Sequence, residues 1–356
     1  VTATVMDRGD VRTTDGTLAL ANLTAQVDML AGQALPAGSP DSAAHRVLEQ
    51  QAALVDLLTL RGHLLGCVAD YELAFQVADR MVATAPHSAI ALSARARTRA
   101  TLHRFADAWS DLDAAHRAEP SVDGLDADRS AILQAVGCYE EAELLLQNAA
   151  SHQSDFASLS AQAVLYAERG SIAEAVQAFA AAHDAHRGVS PFPLAQLDFR
   201  RGVMWMREGD LTAAHEAFDA ARRRVPAYAP ATGHLAEIEL LRGDAAAAAG
   251  YLRPVAETSD DPEYAAHLAL ALRGLGQHDR ARVWRDRAKR RYDELVRLHP
   301  EAYADHAGDF WLGAGGDPGR ALRLAQWTLV MRQTPRARAV VERARAAVGA
   351  SSPDVR

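Results

Sequence analysis

Gly137-Cys-Tyr-Glu-Glu-Ala142 and Gly170-Ser-Ile-Ala-Glu-Ala175 are two versions of one phrase, a turn glycine followed five residues later by a small alanine. Working outward, the phrase returns upstream as Ala69-Asp-Tyr-Glu-Leu-Ala74 and His103-Arg-Phe-Ala-Asp-Ala108. Downstream it returns as Gly209-Asp-Leu-Thr-Ala-Ala214, Gly243-Asp-Ala-Ala-Ala-Ala248, Gly276-Gln-His-Asp-Arg-Ala281 and Gly316-Asp-Pro-Gly-Arg-Ala321. The alanines advance by 34, 34, 33, 39, 34, 33 and 40 residues, a spacing too regular for unrelated loops. Self-similarity at such a period marks a repeat array, in which each unit is too small to bury its own apolar face and stacks on its neighbours.

Alanine dominates the chain, Val, Ile and Phe are thinly spread, and no run alternates apolar and polar residues for long. The reading is therefore all-helical. Further marks keep the same phase. Gly62 and Gly202 stand where two helices must approach closely, and Tyr166 and Trp205 follow the glycine position of their units by one turn. Phe179 and Phe218 lie four residues after the signature alanine on the same helix face. Pro86, Pro120 and Pro226 fall twelve residues after theirs, where a second helix must stop.

From about Val55 to Pro335 the chain resembles the tetratricopeptide-repeat family in period and in these marks. The resemblance implies an all-α, right-handed α-solenoid of about eight helix pairs with capping helices at both ends. The expected organisation is a loosely ordered stretch over 1–15, a capping helix and the start of a long helix over 16–54, and the solenoid over 55–335. A solvating helix over 336–348 and a tail over 349–356 complete it. Two departures from the period are informative. Residues 186–193, with two prolines and a glycine, predict a loop and a lip over the groove. Between Asp279 and Leu298 there is neither Gly nor Pro, which predicts a second helix about two turns longer than usual.

Composition limits the function. Apolar residues make up 49% and charged residues 24%, and no apolar run reaches the length of a bilayer span, so membrane insertion is not expected. Val1 to Arg12 carries acids and no apolar stretch, which leads to an expectation of a cytoplasmic protein without a leader. The net charge of −8 disfavours nucleic acid, which needs a basic face. Cys67 and Cys138 are too few for a disulfide framework and lack metal-ligand spacing.

Signatures of catalysis are not found. His215-Glu-Ala-Phe-Asp219 lacks the second histidine of a zinc-protease helix, and Gly313-Ala-Gly-Gly-Asp-Pro-Gly319 lacks the lysine and hydroxyl of a phosphate loop. The chain is expected not to be an enzyme and to need no cofactor. The arginine-rich run from Arg280 to Arg291 is interleaved with Asp279, Asp286, Asp293 and Glu294 and reads as a solvated face.

The resemblance also implies which residues line the concave groove: Arg97, Gln196, Arg200, Arg207, His234, Glu237, His267, Arg273, Tyr303 and His306. Their companions include Asp56, His63, Asp128, Glu168, Phe199 and Glu263. Arg200 and Arg207 suit a carboxylate, because a guanidinium fork matches it bidentately. His234, His267 and His306, with Glu237 and Asp305 or Asp309, are residue types that hold zinc, but equivalent positions in adjacent repeats lie about 10 Å apart. The expectation is therefore contact with a ligand and no metal. The function expected is a protein-interaction scaffold that holds a peptide or protein partner, including an acidic one, in the groove, chiefly in its C-terminal half. The alternatives are a small-molecule or metal-binding regulator and an atypical enzyme on the same scaffold.

Overall fold

All eight signature alanines are buried: Ala108, Ala142, Ala175, Ala214, Ala248 and Ala321 have no exposed surface, Ala74 retains 1% and Ala281 7%. In the computed structural model, which describes residues 12–32, 41–120, 124–150 and 155–351, each of them sits where two helices of a unit touch. Eighteen helices and no strand are found among these residues. Helix α1 (Gly16–Ala31) caps the N-terminus. Eight antiparallel pairs follow: α2 (Asp41–Leu65) with α3 (Val68–Thr84), α4 (Ala89–Thr101) with α5 (Phe105–Ala118), α6 (Leu125–Val136) with α7 (Tyr139–Ala150), and α8 (Phe156–Arg169) with α9 (Ile172–Ala185). The series continues with α10 (Phe192–Arg207) and α11 (Leu211–Arg224), α12 (Ala229–Leu241) and α13 (Ala245–Thr258), α14 (Pro262–Gly274) and α15 (His278–Leu298), and α16 (Pro300–Leu312) and α17 (Pro318–Met331). Helix α18 (Pro335–Ser351) covers the last pair.

Local chemistry sets these boundaries. The turn glycines Gly137, Gly170, Gly209, Gly243, Gly276 and Gly316 all have positive φ, a left-handed conformation that only glycine adopts without strain. In the second unit His103 takes the same conformation at φ 56°. Gly202 is needed for a different reason: a Cβ there would come within 2.6 Å of the Phe218 ring. Phe179 and Phe218 are 3% and 0% exposed, so both aromatic marks are core. The long helix expected between residues 279 and 298 is α15, of 21 residues, and Pro300 opens the next helix.

The first unit departs from its signature. Ala69 lies inside α3, and the turn is made three residues earlier by Gly66 at φ 61°. Helix α3 therefore starts six residues before its signature alanine, whereas the other second helices start three before theirs. That additional turn reaches the far end of the array. A Cβ on Gly66 would fall 2.6 Å from Tyr264 and 3.0 Å from Ser259, almost two hundred residues away.

The solenoid thus closes on itself. Cys67, the residue before α3, makes no side-chain cap; instead the Asp260 carboxylate accepts from the backbone N–H of Val68 at 2.6 Å and of Ala69 at 3.0 Å. Arg291 holds the same carboxylate at 3.2 Å, and Ser259 Oγ donates to the Gly66 carbonyl at 2.5 Å. His63 and the Tyr228 hydroxyl share a hydrogen bond of 2.7 Å. Glu72 faces His299 at 3.4 Å. One apolar core runs through the junction, joining Val55, Leu58 and Leu64 of α2 to Phe199, Phe218, Leu235 and Ile238. Val68 packs in a separate cluster with Leu295, Ala302 and Tyr303. Of residues 186–193, expected as a loop and a lip over the groove, Phe192 and Pro193 instead open α10, and the loop before them is tied to the N-terminal segment, where Thr14 N–H donates to the Val189 carbonyl at 2.8 Å.

Candidate functional site

Closure divides the concave face. The first helices of units six to eight carry unit one, whereas α4, α6, α8 and α10 keep their inner faces open to a chamber of about 680 Å³. Arg332 and Thr334, between α17 and α18, and Arg336, in the first turn of α18, complete its lining. Small side chains such as Ala100, Ala131 and Ala161 make the room, Phe105 and Phe156 supply apolar surface, and Thr101, Gln134, Ser160 and Gln196 supply neutral hydrogen-bonding groups. Four arginines line the chamber: Arg200, Arg207, Arg332 and Arg336.

Two of these guanidinium groups are already paired. Arg207 donates to Glu168 at 2.6 Å. Arg332 is held more loosely: Nη1 lies 3.4 Å from Asp305 and 3.5 Å from His103 Nδ1, and Nε donates to the Ala135 carbonyl at 3.2 Å. Burial lowers its pKa. Among the described residues no carboxylate lies within ion-pair distance of Arg200 or Arg336, although both line the chamber. His103, also in the lining, stacks on Phe105 with centroids 5.3 Å apart and is held neutral, its pKa lowered to about 4 chiefly by burial and by Arg332.

The expected groove residues separate into three groups. Gln196, Arg200 and Arg207 line the chamber. Arg97 does not; it bridges neighbouring first helices, 3.0 Å from Asp56 and 3.8 Å from Asp128. The C-terminal set belongs to the closed side. His234 stacks on Phe218 at 4.8 Å and bonds Glu237 at 3.0 Å, and Tyr303 is 8% exposed in the apolar cluster against α3. His267 has a buried Nδ1 with no hydrogen-bond partner, and Arg273 is exposed at the end of α14. His306 faces Glu263 at 3.6 Å and Asp305 at 3.8 Å; Asp305 above all, then Glu263, raise its pKa to about 10 against the effect of burial. Among the described residues no group of three or more His, Cys, Asp or Glu is arranged to hold a metal ion. The basic face of α15 is internally paired, Arg285 with Asp286 at 2.7 Å and Arg291 with Glu294 at 2.9 Å. Sequence reasoning missed Phe105, Phe156, Arg332, Thr334 and Arg336, which enter the chamber from outside the repeat positions assigned to the groove. Only the closing of the array brings the last three there.

No family model matches the chain, and no curated protein matches it either. Solved structures do. Human IFIT1 bound to m7Gppp-AAAA superposes with a TM-score of 0.55 at 14% identity, over 92% of this chain and 76% of that one. The human IFIT1 dimer with PPP-AAAA gives a TM-score of 0.52 at 14% identity over 80% and 72%. A tetratricopeptide repeat protein from Parabacteroides merdae is 18% identical over 71% of this chain and 97% of that one, with a TM-score of 0.42. No helix among the described residues is long and apolar enough to cross a membrane. The chain has the tetratricopeptide-repeat fold, an all-α solenoid of helix pairs.

Proposed function

We propose that this protein is a non-catalytic interaction scaffold whose central chamber receives an acidic peptide segment of a partner protein. The observation that carries the reading is the pair Arg200 and Arg336, two exposed guanidinium groups on the chamber lining, neither within ion-pair distance of a carboxylate among the described residues. Charge-assisted hydrogen bonds to such groups contribute more than neutral ones, about 1.5–3 kcal/mol each. The chamber volume falls in the range of about 300–1,000 Å³ usual for pockets that enclose a ligand, which limits the bound segment to a few residues. Glu168 and Asp305 beside the arginines, and a net charge of −8, favour a short carboxylate-bearing segment over a polyphosphate chain.

The test is fluorescence anisotropy with a fluorescein-labelled hexaglutamate peptide, a scrambled neutral peptide, and a single-stranded oligoadenylate with a 5′-triphosphate as competing probe. Hexaglutamate should bind, weaken with added salt, and lose at least about tenfold in affinity in Arg200→Ala/Arg207→Ala with the helical content unchanged. Tighter binding of the oligoadenylate through the same arginines would replace the peptide by RNA. Undiminished hexaglutamate binding in the double variant would remove the chamber as the site.

A further inference from the structure

We propose that Asp305 is a built-in competitor for the ligand: its carboxylate occupies Arg332 in the free protein and must be displaced before that arginine can bind an anion in the chamber. The inference rests on the reading of the chamber as an anion site and specifies how that site is regulated.

The geometry around Asp305 is asymmetric. Its contact with Arg332, 3.4 Å from Nη1, is long for a charge-assisted hydrogen bond, which normally measures about 2.7–2.9 Å. Its other oxygen lies 3.8 Å from His306 Nε2 and accepts from the His306 backbone N–H at 2.9 Å. His306 is a cation at neutral pH, because the carboxylates of Asp305 and Glu263 hold its pKa far above the ordinary imidazole value. If Arg332 turns toward a ligand, Asp305 therefore keeps a positive partner and is not left as an isolated buried charge, the situation that makes breaking most buried pairs costly.

Space for that exchange is present. A cavity of about 20 Å³, enough for one water molecule, is bounded by Asp305, Thr328, Arg332, Thr334 and Arg336. Thr328 Oγ1, on its wall, is buried with no hydrogen-bond partner. A water there would satisfy Thr328 and rehydrate the Asp305 carboxylate when Arg332 leaves. Arg332 and Arg336 line both this cavity and the main chamber, so the two spaces share their cationic wall. Because the guanidinium is planar, Nη1 and Nε reorient together, and the Nε bond to the Ala135 carbonyl is exchanged along with the Asp305 contact. The face of Phe105, 5.9 Å from the guanidinium carbon, remains beside the side chain.

The consequence is a gain of affinity on removing a charge. Asp305→Asn keeps the shape and one acceptor oxygen but removes the negative charge that holds Arg332. Labelled hexaglutamate should bind it at least about tenfold more tightly than the wild type. Adding Arg332→Gln to Asp305→Asn should abolish the gain. Asp305→Glu, which keeps the charge and lengthens the side chain in the cavity it shares with Arg332 and Arg336, should bind roughly threefold more weakly than the wild type, and supplies the opposite sign should Asp305→Asn fold poorly. Circular dichroism and a thermal scan establish that each variant is folded. Equal or weaker binding by folded Asp305→Asn, or tighter binding by Asp305→Glu, overturns the inference while leaving the chamber as the site. Hexaglutamate binding insensitive to Arg200→Ala/Arg207→Ala overturns both.

Discussion

Units two to five and units six to eight are built from the same repeat, yet their concave faces have opposite fates. Along α4, α6, α8 and α10 the inner face is lined by alanine, hydroxyl and amide side chains and opens on a chamber. Along α12, α14 and α16 the equivalent face carries His234 stacked on Phe218, Tyr264 against Gly66 and Tyr303 against Val68, and is covered by unit one. Bulky side chains at inward positions thus mark where the array packs on itself, and small ones mark where it leaves room. A helical repeat's groove is not a uniform binding surface; its use depends on what the chain places in it.

Removing the ring that serves both roles should have the largest effect. Phe218 is fully buried, contacts Phe199 and His234, and fills the space that Gly202 leaves. Phe218→Ala should cost about 3–5 kcal/mol in urea unfolding, whereas Phe105→Ala, at the half-buried chamber wall, should cost less and reduce ligand binding. A cost for Phe105→Ala equal to that for Phe218→Ala would erase the distinction between the two faces.

Gly66→Ala comes next. The left-handed backbone and the 2.6 Å approach to Tyr264 both oppose a side chain there. A loss of about 1–3 kcal/mol is expected, together with a larger radius of gyration by small-angle scattering as unit one detaches. The same substitution at Gly209, where a Cβ meets nothing within 4 Å, carries only the backbone strain and should leave the radius unchanged. Equal radii for both variants would show that closure does not depend on Gly66.

Effects of pH should be smaller and of two signs. His63 and His103 are held neutral, with pKa values lowered to about 3 and about 4, chiefly by burial and next by Arg200 and Arg332. The folded state binds fewer protons there than the unfolded chain, so their contribution is complete above about pH 6.5 and is lost as pH falls from there toward 4. His306 works in reverse: with its pKa raised to about 10, its contribution is complete below about pH 6.5 and is lost as pH rises through 10. Stability measured by urea unfolding from pH 5 to 10 should peak near neutrality. His306→Gln should flatten the alkaline limb alone, and an unchanged alkaline limb would refute the assigned ion pairs.

The repeat itself was legible because each unit writes its requirements locally: a left-handed glycine, a small alanine five residues on, an aromatic one turn later. Closure left no such trace. Its contacts join Gly66 to Ser259, Val68 to Asp260 and His63 to Tyr228, at separations of 165 to 193 residues, and each partner reads in sequence as an ordinary turn or helix residue. Arg200, Arg207 and Gln196 were found because repeat phase places them inward. Tyr303 shares that phase, and only its burial against α3 shows that the position is occupied. Arg332 and Arg336 lie past the last repeat and reach the chamber through the return of the chain.

The closed ring is tested most directly at the first turn of α3. Helix N-termini leave their first N–H groups without intrahelical partners, and here the Val68 and Ala69 amides are capped by Asp260, 192 and 191 residues away. Amide hydrogen exchange followed by NMR should show both protected in the wild type and both exchanging freely in Asp260→Ala, with the amides of α8 and α9 unaffected. Rapid exchange at Val68 and Ala69 in the wild-type protein would mean that the solenoid is open and that the chamber does not exist as described.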